Sequence, residues 1–228
     1  MSTKELQQGM RSRWLKFMKS IGESGIQVGG NPRQVFSTLD RRYSEGHRYY
    51  HDWVHISACL DELQKTRFSA LHPAAVEMAV WFHDVVYIPG APDNEILSAQ
   101  IARNAAESMG LPSATVLEVA DLILATRYQN DKDTPEELCP QDRALIRDID
   151  LSILGKSREE FDSYEEAIRR EYSDVPERER WQRRISILQR LLALPRIYQT
   201  EQFQKRYERQ ARQNLSHSVS RLRRLLAG

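Results

Sequence analysis

Four residues stand out because their polarity conflicts with their position. His83 and Asp84 continue the apolar stripe Val76, Ala79, Val80 at helical spacing. His55 shares a face with Cys59 and Leu63, and Asp150 falls on the stripe Ile146, Ile149, Ile153. The spacing thus turns two imidazoles and two carboxylates toward an interior. Buried carboxylates are costly unless they are paired or bound to a metal. One divalent ion would offset that cost for all four, and the mixed nitrogen and oxygen donors suit Mn, Fe, Co, Ni, Zn or Mg. Asp148 lies two residues before Asp150 and so points to nearly the opposite side of the helix; the stripe favours Asp150 as the ligand.

The elements that must carry these residues are helical. Met10 to Ile21 reads as a helix ended by the glycines of GESGIQVGG, and Pro32 opens a second that runs to about Tyr43. Ile56, Cys59, Leu60 and Leu63 mark one buried helix face. Upstream, His47, His51 and His55 would form a column at four-residue spacing if helix extended across them. Pro73 opens the helix leading to His83, and the turn IPGAP follows, with Asp93 or Asn94 placed to cap the next helix. His72, just before Pro73, reads as a cap-region residue rather than a ligand. Further stripes run from Leu97 to Met109 and from Val116 to Leu124. The polar stretch TRYQNDKDTPEEL reads as a loop. Helix resumes from Asp142 to Gly155, from Glu159 to Arg170 and between Pro176 and Pro195, and Glu201 to Leu225 reads as a charged terminal helix. No repeat and no strand-like alternation interrupts this pattern, so the fold class is all-α.

Composition narrows the function. The 228 residues, 40% hydrophobic and 29% charged with a formal net charge of +1, describe an ordinary globular chain without a basic field for nucleic acid. Two isolated cysteines offer neither a thiolate zinc motif nor a disulfide framework, which points to a reducing cytoplasm. There is no apolar run long enough for a signal peptide or a membrane span. Any affinity for phosphate must therefore be local. Arg48 precedes the first ligand helix, where a guanidinium could clamp a phosphate or pair with Glu45 or Asp52; Arg127 and Lys132 are similar cases.

The strings YSEGHRYYHDWVHI, WFHDVVYIPGAPDNEILSA and DIDLSILG resemble the HD-domain superfamily, and within it the group of metal-dependent HD phosphohydrolases. FDSYEEAIRREYSDVP and RIYQTEQFQKRYERQARQNLS are also similar, so the resemblance covers most of the chain. It implies a single HD-type helical bundle over residues 1–228, with a metal-binding core of about 32–155 and additional C-terminal helices over about 156–228. It implies one divalent metal held by His55, His83, Asp84 and Asp150, with His55 chosen over His51 because an apolar stripe follows it. His51 is then a substrate-contacting or supporting group. Asp93 and Glu95 become the candidates for handling protons or orienting water, because no Glu closely follows the His83–Asp84 pair. Gln129 stands where related chains often have His, which favours one metal over two. The expected activity is hydrolysis of a nucleotide or other small phosphorylated metabolite by a metal-activated water, with Arg48, Arg127 or Lys132 on the phosphate and His51 nearby. Two alternatives stand beside it: a non-catalytic nucleotide- or RNA-binding module, and a di-iron oxygenase.

Overall fold

The computed structural model describes residues 2–127 and 139–227. These residues are all-α, with no strand among them, and none of their helices is long and apolar enough to cross a membrane. The chain divides into two compact units, Met1–Ile146 and Arg147–Gly228. The boundary falls inside a helix, earlier than the change near residue 155 expected from the sequence.

In the first unit, α1 (Thr3–Glu23) begins well before Met10, because Ser2 and Glu5 close a capping box around its first turn. α2 (Pro32–Tyr43) starts on its proline, with Asn31 accepting from two backbone N–H groups. α3 spans Trp53–Thr66, α4 Pro73–Phe82, α5 Asn94–Ser108 and α6 Ser113–Ala125. α4 is the centre of this unit: every residue from Ala75 to Phe82 is buried, as expected of a helix apolar on all sides. It packs against α3, α5 and α6. Trp14 of α1 stands edge-on to Trp81 and Phe82 and donates its indole N–H to Pro32 O. The expected stripe Val76, Ala79, Val80 is buried, but it is part of a wholly buried surface rather than one face.

Residues 44–52 are not helical, so His47, His51 and His55 do not form a helix column. Asp52 stops helix from extending backward: in extended conformation, it accepts from the N–H groups of Val54 and His55 and defines the first turn of α3. The segment 128–138, which includes Gln129 and Lys132, lies outside the described residues.

α7 (Pro140–Asp150) contains the boundary between the units. In the second unit its end passes into a 3-10 turn, Leu151–Gly155, followed by α8 (Arg158–Glu171) and α9 (Glu177–Ala193). The terminal helix is interrupted: α10 (Glu201–Phe203) leads through a π-turn, Gln204–Glu208, into α11 (Arg209–Ala227), which packs on α9. Gly155 is required by close approach, since a Cβ there would meet the Tyr207 backbone at 2.8 Å.

Asp148 is wholly buried and serves this second unit. Its carboxylate accepts from Gln199 N–H (2.8 Å), Thr200 N–H (2.7 Å) and the Thr200 hydroxyl (2.6 Å). Its lone pairs are engaged in holding the 199–200 turn. Burial pushes the carboxyl up to about 6, against the hydrogen bonds, which favour the charged form. Asp148→Ala is expected to cost about 2–4 kcal/mol in urea unfolding, because three donors lose their acceptor. A carboxyl whose folded pKa is raised binds its proton more tightly in the native state, so its contribution is largest at acid pH. The gap between wild type and variant should therefore narrow as pH rises from about 4 through 6.

Candidate metal centre

The centre of interest lies in the first unit, where α3 begins and α4 ends. His55 is in the first turn of α3, fixed by the Asp52 cap. His83 and Asp84 lie just beyond α4 rather than on it, in the turn that closes the helix; the His83 N–H still bonds Ala79 O at 2.9 Å, so the imidazole keeps a helical direction. The chain after Asp84 is fastened to α5. Ser98 Oγ accepts from Val86 N–H, and the Asn94 side chain both donates to and accepts from the Ile88 backbone.

Three donor atoms converge. His55 Nε2 and His83 Nε2 are 3.1 Å apart, and Asp84 Oδ2 is 3.4 Å from the first and 3.1 Å from the second. These separations would let one divalent ion reach all three atoms at about 2.1 Å, a normal bonding distance for imidazole and carboxylate. The tautomer of His83 also fits. Its Nδ1 lies 3.0 Å from Val80 O, so Nδ1–H donates to that carbonyl and Nε2 is left with its lone pair toward the triangle. Both histidines are buried and Asp84 is partly so. Burial alone would raise the Asp84 carboxyl, but the surrounding imidazoles of His83, His51 and His55 hold it well below the usual carboxylate range.

Arg48 corrects an expectation. Its side chain is 0% exposed, so it cannot reach a substrate phosphate. Nε donates to Glu45 Oε2 (3.0 Å), Nη1 to His51 O (2.9 Å) and Asp84 O (2.7 Å), and Nη2 to Val85 O (3.2 Å). The guanidinium also lies over the rings of Tyr43 and Tyr87. The Glu45 pairing weighed from the sequence is present, but the larger role is to tie the backbone that carries Asp84 to the turn that leads into α3.

His51 remains beside the triangle. It is half-buried, its ring stacks on Tyr87 at 3.9 Å, and it lies 5.9 Å from the His55 ring. Asp93 is exposed at the start of α5, where its side chain makes no cap hydrogen bond, and Glu95 is half-buried in the first turn. Arg127 follows α6 and donates to Pro92 O at 3.2 Å, so the segment after α6 meets the loop before α5. Asp150 is the half-buried last residue of α7, in the second unit.

Two neighbours were not foreseen. Cys59 Sγ lies 3.7 Å from both ring nitrogens of His55, and His55, Cys59 and His83 each offer a donor atom within 4.8 Å of the others. The signal was present in the sequence, since Cys59 stands four residues after His55 on the same stripe. Tyr87 is the second, and nothing in its local sequence indicates that His51 stacks on it. Compared with protein-family models, curated proteins and solved structures, the chain matches none of them.

Proposed function

We propose that this protein is a metal-dependent phosphohydrolase of the HD type, acting on a nucleotide or other small phosphorylated metabolite. The observation that carries the reading is the triangle of His55 Nε2, His83 Nε2 and Asp84 Oδ2, with sides of 3.1–3.4 Å. Asp150 stays in the proposal as fourth ligand on the strength of its place in the sequence. A divalent ion held there supplies Lewis acidity toward a phosphoryl oxygen and toward water.

The remaining roles belong to side chains. His51 is the first candidate to hold or move a proton, since its imidazole borders the triangle and is partly open to solvent. Asp93 and Glu95 are the acidic candidates for orienting water from the start of α5. Arg127 and, from the sequence alone, Lys132 would contact the phosphate. Arg48 positions Asp84 and takes no part in contacting substrate.

The test is a screen of nucleotides and phosphorylated metabolites with Mn, Co, Ni, Mg and Zn supplied separately. A phosphate-releasing activity that needs one of these ions is expected, and absence of release with every ion would end the proposal. His51→Gln should keep the metal-dependent rise in melting temperature while turnover falls about 10²–10⁴-fold, the usual loss for an acid–base group. Full turnover in His51→Gln would transfer the proton role to Asp93 or Glu95.

A further inference from the structure

A second group of donor atoms lies at the other end of α4, about 16 Å along the helix from His83. His72 immediately precedes α4, Glu118 is on α6, and Cys139 and Asp142 are at the start of α7. Each offers one ligand atom, and these atoms all lie within 4.8 Å of one another. All four residues belong to the first unit.

The bonding around this group leaves room for a cation. Asp142 is fully buried, and its two oxygens accept from Leu71 N–H (2.8 Å) and His72 N–H (2.9 Å), which fastens the start of α7 to the start of α4. Glu118 Oε1 is buried and pairs with His72 Nδ1 outside hydrogen-bond alignment, so among the described residues it has no aligned donor. His72 Nδ1 also lies 3.6 Å from Asp142 Oδ2. Asp121, one turn along α6, takes the nearby Arg143 guanidinium. Among the described residues, these three carboxylates thus share one arginine and one imidazole. Burial without full compensation is costly for such a set, and a divalent ion would relieve it.

We propose that His72, Glu118, Cys139 and Asp142 form a second, structural site for a zinc-class divalent ion. A thiolate with one imidazole and two carboxylates favours Zn or Co over the hard ions Mg and Ca. Four protein ligands leave no open position, as in sites that hold a fold together. The Cys139 thiol loses its proton to solvent on binding, and the donor atoms draw inward by up to about 1 Å to reach ordinary bond lengths. The ion would pin the beginnings of α4 and α7 to α6, independently of whether the first site hydrolyses phosphate esters.

The test uses full-length protein stripped with a chelator and titrated with Co, because a thiolate-to-cobalt charge-transfer band in the near ultraviolet reports sulfur ligation alone. Wild type is expected to show the band, and Cys139→Ser to lose it. Cys59→Ser and Asp84→Asn should keep it, which separates this site from the first. His72→Ala changes a side chain that is 58% exposed and should leave the protein folded, while weakening the Zn competing against the Co band by at least about tenfold. Absence of the band in wild type, its survival in Cys139→Ser, its loss in Asp84→Asn or Cys59→Ser, or unchanged Zn affinity in His72→Ala would overturn the proposal.

Discussion

Arg48→Ala is expected to destabilise the protein by about 3–5 kcal/mol, the range for removing one partner of a buried ion pair. The carbonyls of His51, Asp84 and Val85 lose their donor together, and the rings of Tyr43 and Tyr87 lose the cation between them. Such a loss is a large share of the roughly 5–15 kcal/mol by which domains are stable. Arg48→Lys should recover only part of it, because an ammonium is a compact point charge and cannot span carbonyls on two segments as the planar fork does. Urea unfolding of both variants should show a lower midpoint with little change in slope, the sign of altered stability rather than altered compactness. Metal affinity should fall as well, since Asp84 is held through its own carbonyl. A loss below about 1 kcal/mol in Arg48→Ala would show that the clamp is dispensable.

That result would also mark where the sequence could be read and where it could not. Helix periodicity revealed the buried stripes and the proline starts of α2 and α4, and polar residues on apolar stripes identified His55, His83 and Asp84. Those signals are local, so spacing records them. The fate of Arg48 is not local: its acceptors Asp84 O and Val85 O are 36 and 37 residues away, and no spacing rule distinguishes an arginine facing solvent from one threaded between two turns. Asp148 was separable from Asp150 by helix geometry, yet its partners at Gln199 and Thr200 were invisible until the chain was folded. His47, His51 and His55 misled for the opposite reason. Their four-residue spacing imitates a helix, but Asp52 caps α3 and breaks the column. The cluster of His72, Glu118, Cys139 and Asp142 escaped notice because its four members come from three separated segments, none of which carries a metal motif of its own.

Asp84→Asn separates a metal centre from a histidine–aspartate pair that is merely structural. Asparagine preserves the shape of the side chain but removes the negative charge and most of the donor strength that a divalent ion needs. The two imidazole nitrogens, 3.1 Å apart, would then face a neutral amide. Affinity at this site is expected to fall by at least about 10²-fold, or roughly 2.7 kcal/mol. Saturating the wild type at about 100 times its dissociation constant should stabilise it by roughly 2.7 kcal/mol, because the ion binds the folded state. At the same free concentration the variant should gain only a few tenths of a kcal/mol through this site, read with Mn, which a thiolate site disfavours. Turnover should fall in parallel, and extra metal should fail to restore it fully, since the charge is missing even when the site is filled. His83→Ala removes a neutral donor instead of a charged one and should reproduce the loss of affinity. Calorimetric titration of chelator-stripped protein, read beside melting temperature, measures this directly. Equal affinity and equal phosphate release in Asp84→Asn and wild type would leave the triangle a structural hydrogen-bonded cluster and remove the basis for hydrolysis at this site.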